Sequence, residues 1–107
     1  MFGLGTRSVD VRTAQRLSTE DGYVIVDVRT KLERKEGHPP GSLHVSLESL
    51  DKRMRTLEGR KVLAIYRSGN RSGRAVRMLH HHGIEALNVK GGMLAWNRAG
   101  LPTKKGS

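Results

Sequence analysis

The sequence predicts an α/β domain: a central, mainly parallel sheet with helices on both faces. Three observations predict it. Tyr23–Val28, Lys61–Tyr66 and Ile84–Val89 are short runs in which apolar residues follow one another instead of alternating with polar ones, as they do in strands buried on both faces. Between the runs, apolar residues recur at three- and four-residue steps, the period of a helix. The whole chain is 107 residues, which is room for one domain with one modest core.

The elements follow in order. Met1 to Arg7 carries no pattern and reads as a tail. Val9 ends a short strand. Asp10 is a good N-cap, and Val11, Ala14, Gln15 and Leu17 follow at helical spacing. Ser18 to Gly22 reads as a polar turn, and Tyr23 to Val28 as a buried strand. Arg29 to Glu36 is polar and charged and receives no element. Gly37-His38-Pro39-Pro40-Gly41 is irregular, because two prolines remove two backbone donors and fix two φ angles. Ser42 to Val45 forms a short strand. Leu47, Leu50, Met54 and Leu57 then make one apolar stripe on a solvated helix, which Gly59 ends. Lys61 to Tyr66 is the second buried strand, and Arg67-Ser68-Gly69-Asn70 a turn. A helix starts at Arg71 or Ser72, turns Ala75, Val76 and Leu79 inward, and stops near Gly83, a suitable left-handed C-cap. Ile84 to Val89 is the third strand. Gly91-Gly92 is a turn, Met93 to Ala99 a short helix carrying Trp96, and Gly100-Leu101-Pro102 its stop. The domain is expected over residues 8–102, between an N-terminal tail, 1–7, and a basic C-terminal tail, 103–107.

Charge and composition narrow the function. Twenty Lys and Arg face ten Asp and Glu, a formal net charge of +10. A surface so basic attracts anions of every kind: nucleic acid, acidic proteins and small oxyanions. There are no cysteines. That excludes a disulfide scaffold, a thiolate zinc site and any cysteine nucleophile. No apolar run approaches the ~20 residues that span a bilayer, and Met1 to Ser8 lacks a signal-peptide core. A soluble, cytoplasmic protein without membrane contact is the expectation.

The most informative stretch is strand, turn, helix: Val62 to Tyr66, Arg67 to Asn70, and the helix from Arg71. Ligands of open parallel sheets bind at the carboxyl ends of strands. A tight turn running into a helix start also presents unpaired backbone N–H groups that favour an anion. Arg67 and Arg71 flank the turn, with Arg74 one helical turn on, and a guanidinium grips an oxyanion through two parallel hydrogen bonds. A solvated βα loop is the plain alternative.

Three separated motifs carry a family resemblance. Val26-Asp27-Val28-Arg29 is followed by Glu33 and by Gly37-His38-Pro39-Pro40-Gly41-Ser42. Next comes Tyr66-Arg67-Ser68-Gly69-Asn70-Arg71-Ser72. Last comes Gly91-Gly92-Met93-Leu94-Ala95-Trp96, with Gly100-Leu101-Pro102 beyond it. In order and spacing the set resembles a single-domain rhodanese, a sulfurtransferase-like module. The resemblance implies a rhodanese-like α/β fold with its active-site loop at residues 66–72. In active members that loop opens with a cysteine. Its thiolate takes a sulfane sulfur from a donor such as thiosulfate, holds it as a persulfide and passes it to cyanide or a thiol. The related cell-cycle phosphatases have a similar loop with one more residue before the arginine. Here four residues separate Tyr66 from Arg71, the sulfurtransferase size.

At the nucleophile position stands Tyr66. A phenol, with an ordinary pKa of about 10, is mostly protonated near neutrality, and its oxygen forms no persulfide. Ser68 meets the same objection and has no evident base partner. The expectation is therefore a catalytically inactive rhodanese-like domain. Residues 66–72 are expected to act as an anion-binding loop for sulfate, thiosulfate, phosphate or an acidic partner protein. No cofactor is expected. Two alternatives stay open: a sulfurtransferase, whose activity requires Cys at position 66 or a thiol from another protein, and a basic nucleic-acid-binding accessory.

Other residues weigh less. Asp27, Arg29 and His38 are candidates for a pocket rim, although ion pairing that braces the neighbouring loops suits Asp27 and Arg29 better, and a loop-fixing hydrogen bond suits His38. Trp96 reads as packing. His80-His81-His82 is no metal site, because neighbours on a helix point about 100° apart. The basic cluster Lys52, Arg53, Arg55, Arg60 and Lys61 reads as a solvated face, since one Trp, two Tyr and one Phe supply few stacking platforms.

Overall fold

The computed structural model describes residues 7–68 and 71–107. A five-stranded sheet runs through it: β1 (Ser8–Val9), β2 (Tyr23–Asp27), β3 (Leu43–His44), β4 (Lys61–Ile65) and β5 (Glu85–Val89). The strand order is β1-β5-β4-β2-β3, and every pairing is parallel. The three apolar runs are thus neighbouring central strands, as expected, and β4 takes the middle place. Both faces of β4 are covered. Val62 and Ala64 pack into one core cluster and Leu63 and Ile65 into the other, the period-2 alternation of a strand.

The helices divide between the faces. Helix α1 (Val11–Glu20) and helix α4 (Gly92–Arg98) cover one, with Val11, Ala14, Met93 and Trp96 buried against Ile25, Leu63 and Val89. Helix α3 (Arg71–His81) covers the other through Ala75, Val76 and Leu79, beside Leu50, Met54 and Leu57. Among the described residues, no helix is long and apolar enough to cross a membrane.

Three local assignments differ from the sequence reading. Helix α1 runs on through Ser18 to Glu20 instead of yielding to a turn. Ser18 and Thr19 turn their hydroxyls back to the Gln15 carbonyl at 2.8 and 3.1 Å, so these polar residues satisfy themselves within the helix. The stripe Leu47, Leu50, Met54, Leu57 lies on two 3₁₀ turns, Leu47–Ser49 and Asp51–Leu57, and not on an α-helix; three- and four-residue steps serve either geometry. The polar stretch after β2 holds a helix, α2 (Lys31–Glu36). Thr30 and Glu33 form a reciprocal capping box at its start, which satisfies two orphan N–H groups of the first turn.

The ends of the elements obey the expected chemistry. Asp10 caps α1, its carboxylate accepting from the Thr13 N–H at 2.8 Å. Gly83 (φ +76°) closes α3: its N–H donates to His80 and that of Ile84 to Leu79, both at 2.9 Å, the paired pattern of a Schellman turn. Where β2, β4 and β5 begin, Tyr23, Lys61 and Glu85 stand in register. The Tyr23 hydroxyl donates to Glu85, which raises its pKa above the ordinary tyrosine value, and the Lys61 ammonium sits 5.1 Å from the Tyr23 ring centroid. The C-terminal segment is held to the domain. His38 and Lys104 exchange backbone hydrogen bonds at 3.0 and 2.8 Å, and the Gly106 N–H donates to Lys35 at 2.9 Å.

The Asp10 cap carries a pH signature. The Thr13 N–H holds its carboxyl below the ordinary value of 3.8. The cap therefore contributes fully above that value, and its contribution is lost as pH falls through the lowered folded-state pKa. Asp10→Ala is expected to lower the melting temperature at neutral pH. The gap between variant and wild type should close as the solution is acidified below the ordinary carboxylate range. Melting curves across that range, followed by circular dichroism, measure it.

Candidate functional site

The loop that opens at Tyr66 leaves the carboxyl end of β4, the middle strand. Its start is fixed by α4. That helix has Gly91 at its N-cap in the left-handed region, with no side chain to cap it. Its first orphan N–H groups find backbone partners instead: Met93 donates to the Tyr66 carbonyl at 2.8 Å and Leu94 to the Arg67 carbonyl at 3.1 Å. The loop backbone thus does the work of an N-cap. The close approach explains the second glycine of the Gly91-Gly92 pair. Gly92 sits at φ +58°, and a Cβ there would lie inside contact distance of the Tyr66 and Arg67 carbonyl oxygens. The second and third motifs of the sequence are in this way two sides of one contact.

Tyr66 is half-buried and packs against the core cluster on the α3 face. Arg67 is exposed and lines a polar cleft of about 190 Å³ together with Arg29, Glu33, Glu36, Leu94 and Asn97. Ser68 is half-buried and Arg71 opens helix α3. Gly69 and Asn70 lie outside the described residues, as do the side chains of Arg71 and Ser72.

The first motif builds a buried charge network. Asp27 ends β2 with no exposed surface. Its two carboxylate oxygens accept from the Arg29 Nε and a terminal guanidinium nitrogen, both at 2.8 Å, a bidentate pair. Arg34, reaching back from α2, lies 3.6 Å away. Arg29 also donates to the Gly37 carbonyl at 2.7 Å. Arg34 donates to the hydroxyl and the carbonyl of Ser42 at 3.1 and 2.8 Å, and the Ser42 hydroxyl to the Pro39 carbonyl at 2.6 Å. Burial lowers the Arg34 pKa from its ordinary value, while Asp27 acts in the opposite sense. The His38 ring contacts the Arg34 carbonyl at 2.9 Å. Every polar group of the 37–42 turn named here is tied to this network. Of the three rim candidates, Arg29 lines the cleft, whereas Asp27 and His38 are buried beneath the surface.

The remaining sequence candidates go to separate places. Trp96 is buried and donates its indole N–H to the Pro102 carbonyl at 2.8 Å. His80 contacts the Ala86 carbonyl at 2.8 Å, and the His82 ring lies 3.8 Å from Asp51. Lys52, Arg53, Arg55, Arg60 and Lys61 are all exposed. Two features escaped the sequence reading: Arg34 as the third member of the Asp27 network, and the α4 backbone contact. The Thr30-x-x-Glu33 spacing signalled the helix that carries Arg34, and the paired glycines signalled a close backbone approach.

Comparison with known proteins agrees with this architecture. The rhodanese-like domain family model matches residues 9–99, and the chain belongs to that family. A sulfurtransferase of Allochromatium vinosum is 36% identical over 91 residues, 83% of this chain and 85% of that protein. An uncharacterized protein of Synechocystis is 36% identical over 96 residues, 88% of this chain; the chain spans 54% of its length. The crystal structure of a rhodanese-related protein from Thermoplasma volcanium superposes with a TM-score of 0.81 at 29% identity, covering 92% of this chain and 97% of that one.

Two substitutions test the construction. Gly92→Ala forces a side chain into the Tyr66–Arg67 backbone at a left-handed φ, and should cost about 2 kcal/mol or more, read by urea denaturation. Asp27→Asn leaves two buried guanidiniums short of their counter-charge. It should cost about 3–5 kcal/mol, and if stability falls by less than 1 kcal/mol the network is not what holds the 37–42 turn.

Proposed function

We propose that this rhodanese-like domain performs no sulfur transfer and uses residues 66–72 to hold a small oxyanion, or an acidic group of a partner protein. One observation carries the reading: the position that opens the loop is Tyr66, in a chain without a single cysteine. A persulfide needs a sulfur atom on the protein, and none but thioether sulfur is present. Four features support retention of a binding role. The loop start keeps its backbone anchorage on α4. Helix α3 still begins at Arg71, so that first-turn N–H groups face the loop end. Tyr66 packs against the core cluster rather than standing free over the loop. With a net charge of +10, anions are concentrated at the surface.

The sulfate affinity expected for such a cradle is in the millimolar range, about 4 kcal/mol, falling as salt screens and competes. Amide chemical shifts during a sulfate titration measure it: Arg67 to Ser72 should move together and saturate. If none of them moves, the loop binds nothing and the proposal falls. A thiosulfate:cyanide assay is the companion measurement. The wild-type chain should not exceed the protein-free rate, and Tyr66→Cys should gain turnover. Wild-type turnover in a preparation free of contaminating enzyme establishes the sulfurtransferase alternative instead.

A further inference from the structure

Helix α3 and the 3₁₀ turn Asp51–Leu57 leave a groove of about 370 Å³ between them, lined by Asp51, Arg74, Arg77, Met78, His81 and His82. None of these residues belongs to the loop at 66–72. Arg74, Arg77, Met78 and His81 are spaced three and four apart, so one face of α3 presents them in a row about 10 Å long. Arg74, Arg77, His81 and His82 are exposed, while Met78 is half-buried on the core cluster. The groove therefore has a thioether floor and a wall of two guanidiniums and two imidazoles. Among the described residues its one acid is Asp51, which lies 3.8 Å from the His82 ring at the junction of the two elements.

We propose that this groove is a second anion site, independent of the loop, and that it takes a phosphomonoester carried on a small organic body. Guanidiniums one helical turn apart match the oxygens of a phosphoryl group through parallel hydrogen bonds, and an imidazole N–H donates in either protonation state. The apolar floor selects against a bare ion, which would leave Met78 uncovered, and in favour of an organic substituent. The volume is that of a small-molecule site, about 300–1,000 Å³. Among the described residues, no Phe, Tyr or Trp lines it, which leaves it without the platforms on which single-stranded nucleic acid stacks its bases.

The test is a chemical-shift titration of the full chain with phenyl phosphate, inorganic phosphate and an oligothymidylate in parallel. Amides of residues 74–82 should shift saturably with phenyl phosphate, about three-fold more tightly than with inorganic phosphate, because only the former covers the floor. R74Q/R77Q should weaken binding about five-fold or more. R53Q/R55Q, equally exposed and equal in charge lost, should change it less than about two-fold if the effect is local rather than one of net charge. D51N should tighten binding by removing that acid. All five positions with altered charge are exposed, and unchanged far-ultraviolet circular dichroism verifies folding. Equal affinity for the two phosphates removes the organic body from the claim. Equal losses in the two double variants, shifts confined to residues 66–72, or tighter binding of the oligothymidylate each overturn the site. Response of the 66–72 amides to sulfate reports on the loop alone, so the two proposals fail separately.

Discussion

Asp27 is a carboxylate with no exposed surface at the end of a central strand. Removing a charge from water costs several kcal/mol unless partners replace the water, and here two guanidiniums do. Their placement in turn dictates much of one side of the domain. Arg29 must fold back over the strand it has just left, and Arg34 must reach in from α2. That requires a helix of the right length, started by the Thr30–Glu33 box. What remains of the two guanidiniums is spent on the Gly37 and Ser42 carbonyls and the Ser42 hydroxyl. A turn containing Pro39 and Pro40 has few backbone donors of its own, so side-chain donors from outside are what define its shape.

A second constraint sits across the sheet. The carbonyls of Tyr66 and Arg67 are used up by α4, so the loop cannot turn them toward a ligand. Whatever this loop offers an anion comes from its N–H groups and side chains. The same contact is indifferent to the side chain at position 66, because it uses backbone only. The architecture of the domain therefore does not depend on which side chain stands at position 66. Structural and chemical requirements on the loop are carried by different atoms.

Legibility in the sequence followed the range of the interaction. The three central strands were plain, because burial on both faces leaves continuous apolar runs such as Val62 to Ile65. Caps at Asp10 and Gly83 were plain, because a cap is local chemistry. Helix α2 was overlooked through its charge: Lys31, Glu33, Arg34, Lys35 and Glu36 carry no apolar stripe, and Leu32 is 75% exposed. Its existence rests on a capping box and on Arg34, which a search for periodicity does not detect. The 3₁₀ geometry of Asp51–Leu57 was hidden because burying Leu50, Met54 and Leu57 is compatible with either winding. The loop could be located by spacing, but its tie to α4 joins Tyr66 to Met93 and Arg67 to Leu94, and the groove on α3 joins Asp51 to His82. Such juxtapositions are products of the fold.

The pairing of the edge strand has a consequence for synthesis of the chain. Ser8 and Val9 are made before the other strands of the sheet, yet their strand partners are Asn88 and Val89. The middle strand, Lys61–Ile65, likewise needs Glu85–Asn88 on one side. A ribosome-bound chain can therefore bring Tyr23–Asp27 and Lys61–Ile65 together, but cannot lay down the other half of the sheet until Glu85–Val89 has been translated. Until then Val9 and the β5 side of β4 have no strand partner. Closing loops of this length is slow relative to local contacts, and the interval exposes an unpaired parallel edge of the kind that recruits other chains. Crowded charge is one of the means by which edges are kept apart: residues 1–30 balance four arginines against four acids, and the whole excess of positive charge enters with the later segment that carries the middle strand.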